Sequence, residues 1–229
     1  MKADAILHVR DLFKSFSKGP EVIEVLKGIT MEVTTGEGIA IVGASGTGKS
    51  TLLHLLGGLE RPDQGKILHD KKDICTMNDR EMALFRNKQI GFVFQFHFLL
   101  PEFTAVENVM MPALVSERKT DETYKRALHL LEIVGLEDRT SHKPGELSGG
   151  EQQRVAIARS LMMSPKVLLA DEPTGDLDPA TGQKIIDLFS ELKNIMGVTM
   201  IIATHNMELA KTMDRIMILK GGHLELFAS

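Results

Sequence analysis

The sequence predicts an α/β fold: a mainly parallel sheet covered by helices, with a small antiparallel sheet before it and a helical lobe inserted into it. Three observations predict this. Stretches of helical periodicity alternate with short apolar runs, the pattern of strands joined by helices. Four runs, residues 38–42, 90–94, 167–170 and 198–203, are almost wholly apolar, as strands buried on both faces must be. The first of them opens into a glycine-rich loop and then a leucine-rich helix, Leu52, Leu53, Leu55 and Leu56, which Gly57-Gly58 can end.

That loop, Gly43-Ala44-Ser45-Gly46-Thr47-Gly48-Lys49-Ser50-Thr51, fills the phosphate-loop pattern G-x-x-x-x-G-K-[ST] at every fixed position. Its glycines let backbone N–H groups curl around an anion, and the following helix N-terminus adds partial positive charge. Lys49 is placed to reach the β- and γ-phosphates, and the Ser50 hydroxyl to ligate Mg²⁺. Binding of a nucleoside triphosphate is the expectation.

Taken in order, residues 5–33 alternate apolar and polar positions around Gly19-Pro20 and Lys27-Gly28, which reads as an antiparallel sheet. Residues 61–65 form a turn, and Lys66-Ile67-Leu68 returns to that sheet. Residues 78–86 read as a short helix capped by Asn78. From Phe96 to about Gly150 the pattern turns helical, with Ala127, Leu128, Leu131 and Val134 on one face and Gly135 as a stop. Ser148 and Glu151 fit the capping box of a helix over 148–163, closed by Ser164-Pro165. Ile185, Leu188, Phe189, Leu192 and Ile195 repeat at helical spacing up to Gly197, and residues 216–226 form a hairpin around Gly221-Gly222. The chain is expected to be a single domain over 1–229. Its core and antiparallel sheet span about 1–95 and 165–229, and its helical lobe about 96–164.

Composition excludes several classes. The 229 residues, 43% hydrophobic and 25% charged, suit one globular domain of this kind. A net charge of −4 offers no basic field for nucleic acid. Cys75 is the single cysteine, which points to a reducing compartment, and no histidines pair at metal-ligand spacing. Residues 1–10 lack an apolar signal core, and no run approaches the ~18 apolar residues of a spanning helix. The expectation is no export and no direct membrane insertion, so membrane contact must come through a partner.

The strands end in polar residues: the loop at Gly43, Gln95, Asp171-Glu172 and His205. A ligand crevice lies off the carboxyl ends of parallel strands, so these endings can converge on one site. Asp171 would hold Mg²⁺ opposite Ser50, and Glu172 would act as general base on the attacking water. Gln95 can orient that water or coordinate the metal, and His205 can bond the γ-phosphate. The alternative for Asp171-Glu172 is a capped, solvated loop start.

Leu147-Ser148-Gly149-Gly150-Glu151-Gln152-Gln153-Arg154 resembles the signature of ATP-binding cassette (ABC) ATPases, and it stands between Gln95 and Asp171 as that family requires. The resemblance covers the whole chain. It implies that residues 43–51 are the Walker A loop, Gln95 the Q-loop glutamine and Glu172 the catalytic glutamate after a Walker B strand. It further implies that residues 175–178 are the D-loop, His205 the switch histidine and Phe16 the adenine-stacking aromatic. Asn206 departs from the aspartate that commonly follows that histidine. The family assembles two cassettes head to tail, so Ser148, Gly149, Gly150 and Asp178 are expected to act in trans on the ATP and Mg²⁺ of a second copy.

Residues 94–109 are rich in apolar and aromatic side chains just past Gln95. In transporter cassettes this segment faces the membrane subunit, so it is a candidate docking surface; core of the helical lobe is the other reading of Phe96, Phe98, Leu99 and Phe103. With residues 55–59, its wording resembles the lipoprotein-releasing group of the family, whose membrane subunits (LolC/LolE-like) would be partners at the cytoplasmic face of the inner membrane. Macrolide-type exporters and a cell-division signalling cassette are the alternatives. DNA-repair cassettes carry coiled-coil or zinc insertions that are absent here.

Overall fold

The computed structural model describes residues 5–116 and 121–227. Residues 1–4, 117–120 and 228–229, which belong to the expected chain ends and helical lobe, lie outside the described residues. Two sheets form. Strands β1 (Ala5–Lys18) and β2 (Glu21–Thr34) make a long antiparallel ribbon, joined by β4 (Gln64–His69) and β5 (Lys72–Asp73) in the order β2-β1-β4-β5. The second sheet contains β3 (Gly38–Val42), β6 (Ile90–Val93), β7 (Val167–Asp171), β8 (Thr199–Thr204), β9 (Arg215–Lys220) and β10 (His223–Leu226). Its order is β10-β9-β3-β8-β7-β6, parallel except for the terminal hairpin.

All residues of β3 and β8 are buried, which explains their uninterrupted apolar character. The period of two divides them between the faces. Ile39 and Ile41 join the core beneath β1, β2 and helix α1 (Lys49–Leu56), while Ala40 and Val42 join the core of the helical side. That side contains α3 (Ala105–Val115), α4 (Asp121–Ile133), α5 (Gly149–Leu161) and α6 (Pro179–Met196). Helix α2 (Asp79–Gln89) precedes β6, and the short α7 (Met207–Lys211) follows β8.

The caps read from sequence form. Asn78 and Glu81 make a reciprocal capping box on α2, as do Ser148 and Glu151 on α5. The segment 96–103 differs from expectation, for it is not helical. Helix α3 starts only at Ala105, where Thr104 and Glu107 make a capping box that the apolar pattern had hidden. Pro101 disfavours a helical conformation at Leu100, and Phe98 takes a left-handed φ of 46°. Asn108, fully buried, then fastens the segment by accepting from Leu100 N and donating to the carbonyls of Leu100, Phe103 and Thr104.

Candidate nucleotide site

The strand register assembles the site. Val42 lies opposite Thr204, Ala203 opposite Asp171, and Ala170 opposite Val93. The residues that follow, Gly43, His205, Glu172 and Gln95, therefore emerge from one edge of the sheet. A cavity of about 320 Å³ opens there, lined by Phe16, Val25, Ser45, Gly46, Gly48, Lys49, Ser50, Thr51, Gln95 and Glu172.

The loop wraps tightly. Gly46 and Gly48 take φ values of 77° and 101°, which side chains rarely adopt, and a Cβ at Gly43 would stand 2.6 Å from the Leu219 carbonyl. Lys49 is only 6% exposed. Its ammonium donates to the carbonyls of Gly43 (2.9 Å) and Ala44 (3.2 Å) and lies 3.4 Å from Glu172 Oε1. The other carboxylate oxygen of Glu172, Oε2, accepts from the His205 backbone N–H at 3.1 Å and lies 2.9 Å from His205 Nδ1. Glu172 is thus gripped on both oxygens at the mouth of the phosphate loop. Its φ of 44° is a strained left-handed conformation, which persists only where surroundings over-determine it.

Asp171 sits deeper. Its carboxyl bonds the Ser50 hydroxyl, yet Oδ1 is buried with no hydrogen-bond partner among the described residues. Burial holds its pKa above the usual carboxylate range. A buried, partnerless carboxylate oxygen beside a hydroxyl is a donor set that fits a hard divalent cation such as Mg²⁺. Gln95 donates through Nε2 to Asp176 Oδ1 at 3.0 Å, which leaves its carbonyl oxygen for water or metal. Phe16 is 41% exposed at the cavity wall, and the ammonium of Lys14 lies 5.1 Å from its ring centre.

The four residues expected to act in trans do not line this cavity. Ser148 and Gly149 are exposed at the N-terminus of α5, where the Ser148 hydroxyl donates to Glu151 at 2.8 Å. Asp178 is exposed and caps α6 by accepting from Ala180 N and Thr181 N, each at 3.1 Å. Gly150 is buried, and a Cβ there would collide with Thr181 Cγ2. Close packing therefore accounts for one of the two glycines that a simple capped helix leaves unexplained. Sequence reasoning missed Asp176 as the partner of Gln95, 81 residues away, and Lys14 behind Phe16. No local pattern marks Asp176, whereas Lys14 stands two residues before Phe16 on β1, a spacing that the period of two places on one face.

Buried strand, anion loop, lysine and paired acids define a P-loop nucleoside-triphosphate site. The chain belongs to the ABC transporter family, whose model matches residues 26–175, and the ABC ATPase reading of the signature holds. A Geobacter metallireducens protein named lipoprotein-releasing system ATP-binding protein LolD is 53% identical over 220 residues, covering 96% of this chain and 98% of the relative. The Myxococcus xanthus protein of that name is 51% identical, again covering 96% and 98%. Among solved structures, the dimeric cassette MJ0796 in a post-hydrolysis state with ADP and Pi matches with a TM-score of 0.88 at 39% identity, covering 97% of this chain and 99% of that one. The cassette cbiO1 from Clostridium perfringens gives 0.86 at 35% identity, covering 97% and 88%.

Proposed function

We propose that this chain is the ATP-hydrolysing subunit of a membrane transporter that releases lipoproteins from the inner membrane, working as a head-to-tail dimer at the cytoplasmic face. The observation that carries the hydrolytic part is the grip of Lys49 and His205 on Glu172 at the mouth of the phosphate loop. The lipoprotein part rests on the near-full-length likeness to LolD proteins.

ATP would lay its phosphates along the Gly43–Thr51 loop and its base against Phe16. Anion binding draws Lys49 toward the γ-phosphate and away from the Glu172 carboxylate, which then accepts the proton of an attacking water. Asp171, Ser50 and Gln95 would hold Mg²⁺, which neutralises phosphate charge when bound. His205 would hold the γ-phosphate while keeping Glu172 oriented. Ser148, Gly149, Gly150 and Asp178, exposed or set away from their own cavity, would complete the site of the second copy.

The docking reading is supported by exposure: Phe96 and Phe98 are 63% and 64% exposed, and Phe103 39%. Leu99 instead packs against the core. Beside these rings lies an apolar cavity of about 340 Å³ lined by Leu59, Phe92, Phe94, Met111 and Val115 among others. The test is reconstitution with the membrane subunits of the chain's own organism. ATP should drive release of lipoprotein from the bilayer. Replacing Phe96, Phe98 and Phe103 by Ser should abolish partner binding while ATP binding persists. Transport of an unrelated cargo, or full transport by that variant, would refute the proposal.

A further inference from the structure

The loop 94–98, which carries Gln95 and the exposed rings of Phe96 and Phe98, is gripped from one side by a single helix. From α5, Gln153 Nε2 donates to Pro173 O at 2.8 Å and reaches Phe94 O at 3.5 Å, and the Gln152 side chain bonds the His97 ring. In the last turn of that helix, Arg159 donates through Nη2 to His97 O and through Nη1 to Phe98 O, both at 2.7 Å. Arg159 is partly buried and forms no ion pair among the described residues. A desolvated cation without a carboxylate is expensive, so its planar fork is committed to two consecutive carbonyls. Those carbonyls flank and include the residue with left-handed φ, Phe98, whose conformation needs outside support.

We propose that Arg159 is a positioning residue that makes the loop 94–98 a rigid extension of the signature helix, so that movement of Ser148 against a partner's nucleotide is delivered directly to the docking rings. This rests on the transporter reading above. The helix carries Ser148 at its N-terminus and Arg159 near its C-terminus, a lever about 1.5 Å per residue long. Without the fork, the loop would be joined to that lever mainly through the two glutamines, and closure of the dimer would be absorbed in the loop.

Arg159→Lys keeps the charge and the packing stem but cannot hold two carbonyls in one plane. In the full-length chain, amide exchange over residues 96–100 should rise about tenfold, the effect of losing one charge-assisted hydrogen bond. ATP KM and turnover of the chain alone should stay near wild type, while stimulation of turnover by the membrane partner should fall by a similar factor. Native exchange together with native stimulation would overturn the proposal. An equal fall in basal and stimulated turnover with unchanged loop exchange would overturn it too, since Arg159 would then act on the nucleotide site. If the wild-type complex shows no stimulation, the transporter reading fails, and the exchange measurement alone upholds or overturns the tether.

Discussion

Gly150→Ala separates a packing glycine from a ligand-facing one. Gly150 is the second residue of α5 and has no left-handed φ, so Ala strains no backbone there and would by propensity favour the helix by about 0.5–1 kcal/mol. Its Cβ, however, collides with Thr181 Cγ2 on α6, and overpacking of this kind costs about 1–3 kcal/mol. The single variant should therefore unfold at lower urea, with net destabilisation of about 1–2 kcal/mol. Thr181→Ser removes the offending methyl but keeps the hydroxyl that bonds Asp178. The nearest remaining Thr181 atom is Cβ at 3.7 Å, an ordinary contact. In the Ser background Gly150→Ala should become neutral or stabilising, a coupling of about 2 kcal/mol in the double-mutant cycle. ATPase activity of the same four proteins adds the functional half. Activity restored along with stability would mean that Gly150 is a packing requirement. Stability restored without activity would mean that the added methyl fouls the second copy's nucleotide. Additive unfolding energies would refute the packing argument outright.

Other outcomes follow from the same geometry. His69 is buried with Nε2 unpartnered among the described residues, and burial, aided by nearby Lys166 and opposed by Asp70, pushes its pKa down to about 4. The unfolded chain then binds a proton first as pH falls below 6.5, so stability is lost between pH 6.5 and about 4, by roughly 3 kcal/mol for this residue. Denaturant titrations of His69→Phe across that window should show a shallower acid loss than wild type; parallel curves would refute the assignment. Phe16→Ala should weaken ATP binding about 10- to 100-fold in equilibrium titrations, the stacking contribution of one base, while Phe16→Tyr should bind like wild type. Ser148→Arg should leave ATP binding by the single chain intact and abolish ATP-driven dimerisation on size-exclusion chromatography; a normal dimer would refute action in trans.

Local chemistry was legible in the sequence and long-range pairing was not. Asn78 with Glu81 and Ser148 with Glu151 close boxes within one turn, so four letters suffice to read them. The phosphate loop is likewise a contiguous pattern whose glycines do what the pattern implies. The segment 96–103 was misread because its apolar spacing suits a helix, whereas Pro101, the Thr104 cap and the tethers of Asn108 and Arg159 impose an irregular path. The reason for Gly150 lies on Thr181, the support of Gln95 on Asp176, and the hold on Lys14 beside Phe16 on Glu60 and the Arg61 carbonyl, 46 and 47 residues on. Each is a tertiary contact that periodicity cannot express.

The account stands on Glu172 as the base that activates water. ATP binding and single-turnover hydrolysis by Glu172→Gln test it most directly, because the amide keeps the shape between Lys49 and His205 but loses basicity. Binding should persist, hydrolysis should fall about 10²- to 10⁴-fold, and an ATP-bound dimer should accumulate. Turnover within a few-fold of wild type would contradict the account.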